Sequence, residues 1–211
     1  MHFANNFAIN SKSVKQNSAS DGNVALYTGD NSQSQYRIYL LLTDYPDRVS
    51  KALKRLGFWH YSHISVSTSM VESDFYSFVG KKGFRTEKPL LHPTFKKKPV
   101  NCAFISIPVT KEVCEEATKR IKYHIALAHT YRYSYLGLIL TYFDIRVTLK
   151  KRYTCAGFVG DVLDSGMNDG KKHHRLLTPD KFLKRFNKHV IYKGTLEKML
   201  CLFASADNAS A

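Results

Sequence analysis

Two short strings bring together residue types that could do chemistry: Tyr61-Ser62-His63-Ile64-Ser65-Val66-Ser67 and Tyr153-Thr154-Cys155-Ala156-Gly157-Phe158-Val159. The first alternates as a strand does, with His63, Ser65 and Ser67 on one face and Ile64 and Val66 on the other. The second places a thiol at the mouth of a helix. Thr154 fits the N-cap, and Cys155 then falls in the first turn, where unsatisfied N–H groups and the helix dipole favour a thiolate. An imidazole beside that sulfur would relay its proton, and the same N–H groups would hold an oxyanion. Each string also has a plainer reading. Cys155 lies three and four residues before Phe158 and Val159, so it also fits an apolar helix face as a small core side chain. A strand face of small polar residues suits open solvent as well as a cleft.

The remaining histidines and cysteines offer less. His60, His92, His124 and His129 have no comparable neighbour, and His124 sits at the edge of a helical stripe, which predicts a structural role. His173-His174 lie in a charged loop without a carboxylate or thiol at ligand spacing, so no metal site is expected. Cys114 belongs to an apolar helix face, while Cys102 and Cys201 have no neighbouring base.

The elements that must position Cys155 and His63 follow from periodicity and punctuation. Residues 1–35, rich in Ser, Asn, Gln and Gly, predict a disordered tail. The domain, taken as residues 36–200, opens with the dense apolar run Tyr36 to Leu42, a buried strand. A helix from Asp44 or Pro46, closed by Gly57, comes next. His63 to Ser69 and Asp74 to Val79 read as a hairpin. Gly80 to Pro99, basic and broken by Gly and Pro, reads as a long loop lining or covering a site. A strand over Ala103 to Val109 leads to a helix capped by Thr110, with Val113, Cys114, Ala117, Ile121, Ile125 and Ala128 as its apolar stripe. A short helical stretch covers Leu136 to Ile145. The Cys155 helix buries Phe158, Val159, Val162 and Leu163 and stops at Gly166. Thr178-Pro179-Asp180 starts a further helix, Val190-Ile191-Tyr192 a closing strand, and residues 201–211 read as a frayed tail. Hairpin connections mixed with helices predict an α+β class, an antiparallel sheet packed against helices.

The chain of 211 residues carries 32 Lys and Arg against 17 Asp and Glu, a net charge of +15. The excess lies in patches at Lys81-Lys82, Lys96-Lys97-Lys98, Lys150-Lys151-Arg152 and Lys171 to Arg175. Such a field attracts anionic polymers or a membrane surface, although scattered patches also fit a surface that resists self-association. No zinc-finger, RNP-type or basic-helix pattern makes it a specific nucleic-acid binder. The absence of a long apolar run and of a secretion-type start, with four irregularly spaced cysteines, predicts a cytoplasmic location.

The order of these motifs resembles a known group. A Ser-His-x-Ser-x-Ser strand, then Phe75-Tyr76-Ser77-Phe78, then a helical connector and Cys-x-x-Phe-Val opening a helix is similar to the circularly permuted papain-like cysteine hydrolases. That group includes the relatives of NlpC-type cell-wall peptidases and lecithin retinol acyltransferase, and the likeness is strongest to an uncharacterised bacterial branch. It covers about Tyr36 to Leu196, including Leu177 to Phe182 and Ile191 to Leu196. The resemblance implies an NlpC-type fold with Cys155 as nucleophile and His63 as general base. It also implies a third polar group on the strand after the histidine, which orients the imidazole, and Ser77 fills that place here. The expected activity is hydrolysis or acyl transfer on an amide, ester or thioester of a small-molecule, peptide or lipid-derived substrate, with no metal or organic cofactor. Two departures stand out. Ala156-Gly157 replaces the polar pair that relatives carry after the cysteine, and Val79-Gly80-Lys81-Lys82 replaces Gly-Arg-Lys after the Tyr-Ser-Phe strand. These departures keep a second reading in view, a weak or inactive member that binds nucleic acid or an anionic surface through its positive charge.

Overall fold

The computed structural model describes residues 36–44, 55, 59–69, 74–89, 99–145, 149–167, 170 and 172–209. Its strands are β1 (Tyr36–Thr43), β2 (His63–Ser67), β3 (Phe75–Val79), β4 (Gly83–Glu87), β5 (Asn101–Val109), β6 (Arg132–Tyr133), β7 (Arg152–Tyr153) and β8 (Val190–Thr195). Its helices are α1 (Lys111–Ala126), α2 (Tyr135–Leu140), α3 (Cys155–Gly166), α4 (Pro179–Arg185) and α5 (Leu196–Ala209). Six strands form one antiparallel sheet in the order β4-β3-β2-β1-β5-β8, and β6 and β7 make a small parallel pair. The class is α+β.

Covering of both sheet faces explains the composition of β1. Ile38, Leu40 and Leu42 enter one apolar cluster, with Ile64 and Val66 of β2, Ala103, Ile105 and Ile107 of β5, and residues of α1 and α3. Leu41 points the other way, into a second cluster with Phe75, Cys102, Phe104, Tyr192, Leu196 and Met199. A central strand buried on both faces needs a continuous apolar run rather than alternation.

The nucleating chemistry of the helices is local. Thr110 Oγ1 accepts from the Val113 N–H, Thr154 Oγ1 from Gly157, and Thr178 Oγ1 from Lys181, with Pro179 opening α4. Each cap satisfies one N–H that the first helical turn leaves without a partner. Helix α3 fills the core with Phe158, Val159, Val162 and Leu163, all fully buried. Gly160 lets another segment lie against it: a Cβ there would meet the His174 Cα at 2.4 Å and the His173 carbonyl oxygen at 2.6 Å.

Several elements differ from the expectation. The long basic loop is shorter, because Gly80–Lys82 forms a 3-10 turn and Gly83–Glu87 pairs with β3 as an edge strand. Gly83, at φ 68°, makes the reversal that a side chain would oppose. In α1 the buried stripe is Cys114, Ala117, Ile121 and His124. Ile125 is instead exposed, since three- and four-residue steps from Ile121 make His124 and Ile125 competitors for the core side. The C-terminal segment expected to fray continues as α5, anchored by buried Leu196 and Met199. All five residues of β2 are buried, so its serine face is not an open one. Residues 1–35 and, apart from Asp44 and Arg55, the helix expected between Asp44 and Gly57 lie outside the described residues.

Candidate active site

Cys155 is the first residue of α3, directly after the capping Thr154. Cys155 is buried, at 5% exposure, and its thiol interacts with the His63 side chain from the start of β2. Sheet and helix therefore bring together two residues 92 positions apart. In place of a polar pair after the cysteine, Ala156 is part of the core and the Gly157 N–H donates to the capping Thr154 Oγ1 at 3.0 Å.

The imidazole has a second partner that sequence reasoning missed. His63 Nε2–H donates to Glu87, at 2.9 Å to Oε1 and 3.1 Å to Oε2. Glu87 ends β4, so its carboxylate reaches across β3 to the histidine. Burial alone would depress the His63 pKa, but the Glu87 charge and the bonds to Cys155 and Glu87 outweigh it and raise the value to about 10. His63 thus holds its proton at neutral pH. One sequence signal marked Glu87: it is the single acidic residue between Gly80 and Pro99.

Ser77, given the orienting role at the outset, does not fill it. Its hydroxyl donates to the Ile64 carbonyl at 2.7 Å and is fully buried, a bond that ties β3 to β2. The carboxylate of Glu87 stands at the imidazole instead, which a serine could orient only weakly.

Two other histidine–carboxylate groups flank α3. His124 of α1, fully buried, lies 3.5 Å from Asp161 Oδ2, a long contact, among the rings of Phe78, Phe84, Tyr131, Tyr153 and Phe158. The Asp161 carboxylate is taken by Arg120, at 2.8 Å from Nε and 2.7 Å from Nη2. Burial would raise the Asp161 pKa, but His124 and Arg120 hold it below the usual carboxylate range. Asp164 grips the His173-His174 turn: Oδ1 accepts from the His173 N–H and lies 3.1 Å from its Nδ1, while Oδ2 accepts from the His174 N–H and pairs with its ring. The loop histidines thus have a carboxylate partner, one that distance along the chain concealed.

The other thiols are set apart. Burial pushes the Cys102 thiol up to about 12 and also raises that of Cys114, whereas Cys201 is exposed on α5. An open depression of about 410 Å³ beside α1, lined by Tyr36, Cys114, Glu115, Thr118, Lys119 and Lys122, shares no residue with the His63 cluster. Among the described residues no group of three or more His, Cys, Asp or Glu side chains could hold a metal ion, and no helix is long and apolar enough to cross a membrane. No protein-family model, curated protein or solved structure matches this chain.

Proposed function

We propose that the chain is a cysteine hydrolase or acyltransferase of the permuted papain-like kind, acting on an ester, thioester or amide through Cys155, His63 and Glu87. The observation that carries this reading is the interaction of a helix-mouth thiol with an imidazole whose Nε2 is held by a partly buried carboxylate. A buried free cysteine of the core needs no such partners. The order of the histidine strand before the cysteine helix, and the packing of α3 on the sheet, support the permuted architecture.

The chemistry runs as follows. Glu87 keeps His63 protonated and fixes its ring through Nε2, leaving proton exchange with the sulfur to Nδ1. An imidazolium is the neighbour a thiolate needs, and the N-terminus of α3 adds its dipole. The sulfur attacks the carbonyl carbon, and the electron pair of the C=O bond moves to oxygen. Thr154 already occupies the Gly157 N–H, so the Cys155 and Ala156 N–H groups are the first-turn donors for that oxyanion. Collapse of the adduct expels the leaving group, which takes the proton from His63, and an acyl-cysteine remains. Water or another acceptor then gives its proton to the imidazole and attacks the acyl carbon, which restores the thiolate.

Iodoacetamide labelling followed by mass spectrometry tests the reading in a Cys201→Ser background, which removes the exposed competitor. Cys155 should be modified much faster than Cys102 or Cys114 at neutral pH, and His63→Ala should slow it. Equal rates for all three thiols would sink the proposal. Turnover is then sought with p-nitrophenyl esters and thioesters.

A further inference from the structure

We infer that the face formed by α2 and the turn after it is a docking surface for an anionic bilayer, met edge-on without insertion of a spanning helix. Leu136, Ile139 and Phe143 follow each other at helical spacing and are 51%, 57% and 69% exposed. Tyr135 and Ile145 extend the same exposed run. A helix of an aqueous protein turns such residues inward; this one turns a ridge of apolar side chains outward, the kind of surface that marks an interaction site.

The surroundings of the ridge select its partner. The Arg132 N–H donates to the Lys151 carbonyl at 3.0 Å, and β6 and β7 pair Arg132 with Arg152, so these cations cluster beside the start of α2. Lys150, Lys151, Arg152 and Arg132 are all exposed. Across residues 128–153 the one acidic side chain is Asp144, and Lys181 pairs with it. An apolar ridge bordered by cations complements an anionic lipid surface: headgroups meet the Lys and Arg side chains while the ridge enters the acyl boundary. A second copy of the chain would bring like charges together at +15 each. Nucleic acid would meet the cations and stack on Tyr135 or Phe143, but it would leave the exposed aliphatic side chains Leu136, Ile139 and Ile145 without the apolar partner that an acyl boundary supplies.

Position links this surface to the thiol. Helix α2 rests on the residue before Cys155, since a Cβ on Gly137 would lie 3.4 Å from Thr154 Cγ2. The Ser134 N–H, at the start of α2, donates to the Tyr153 carbonyl at 2.8 Å. A bilayer on this face would thus lie next to the mouth of α3. The docking surface itself does not depend on Cys155 being catalytic.

Flotation of the full chain with vesicles tests this. The chain should float with mixed phosphatidylcholine–phosphatidylglycerol vesicles and stay behind with phosphatidylcholine alone. The Leu136→Ser/Ile139→Ser/Phe143→Ser variant keeps every charge and should lose at least about tenfold in affinity, because apolar burial adds to headgroup attraction. A Phe143→Trp chain should gain blue-shifted emission over the parent with anionic vesicles only, which provides a readout if the triple variant folds poorly. The proposal is overturned if the parent does not float, if the folded triple variant floats as well as the parent, or if the new tryptophan stays in water. It is equally overturned if sedimentation shows that the parent is a dimer which the triple variant dissolves.

Discussion

His63 and His124 make a natural pair for comparison. Both are buried, both stand beside a carboxylate, and both are packed against α3 or its first residue. They differ in the third partner. His63 has a sulfur at the helix mouth, and its carboxylate, Glu87, serves the imidazole. His124 has aromatic rings, and its carboxylate, Asp161, serves Arg120 first. A histidine–carboxylate contact is therefore a weak sign of chemistry by itself. What distinguishes the first group is a thiol that interacts with the ring, with the carboxylate committed to that ring.

Substitutions can break this contrast or sharpen it. The largest effect should come from His63→Ala, which removes the imidazolium beside Cys155: iodoacetamide modification of Cys155 should slow by about 10²-fold or more, with Glu87→Gln falling between it and the parent. His124→Phe should leave the rate at the parental value; a matching loss there would erase the distinction. Asp161→Asn should act on stability instead. It leaves the half-buried Arg120 guanidinium without its counter-charge, at a cost of roughly 2–4 kcal/mol in urea unfolding, while Cys155 in the folded fraction reacts as before.

The pH dependence of stability is the next test. His63 titrates near 6.5 in an unfolded chain and near 10 in the folded one. Below pH 6.5 both states hold the proton, and the pair contributes in full. Above it the unfolded chain gives up its proton while the folded chain keeps it, so the contribution declines and is lost as pH passes about 10. Relative to His63→Asn, the parent should lose stability across this window with a steepest slope of about 1.4 kcal/mol per pH unit, read from urea midpoints. A flat difference would mean that Glu87 does not hold the ring charged. Ser77→Ala should produce the smallest effect: about 1 kcal/mol of stability for its bond to the Ile64 carbonyl, with the labelling rate unchanged.

The parts legible in the sequence were those with a local cause. Thr110, Thr154 and Thr178 announce their helices because a cap is a three-residue event. Tyr36 to Leu42 reads as a buried strand because its apolar run is continuous. The α+β class follows from these units. The partner of the imidazole was not legible, since the reach of Glu87 over β3 depends on a hairpin whose second strand, Gly83–Glu87, is short and lies in a basic stretch that resembles a loop. Ser77 drew attention by standing on the strand after His63, yet a buried hydroxyl finds the nearest backbone carbonyl, and that geometry is invisible in a string of letters. The exposure of Ile125 and burial of His124 had the same origin: adjacent helix positions compete for one face, and the aromatic rings that decide the outcome come from β3, β4, β7 and α3.

The grip on α3 has a mechanical consequence. Asp161 ties the helix to Arg120 of α1, Asp164 ties it to the His173-His174 turn, and at Gly160 that turn lies against its backbone. The sulfur thus sits on a post fastened at several heights. Among the described residues, Glu87 sits on an edge strand stitched along one side only. Whatever adjustment an incoming molecule demands will come from the acidic arm rather than from the post, so amide hydrogens should exchange early along Gly83–Glu87 and late along the middle of the thiol-bearing helix.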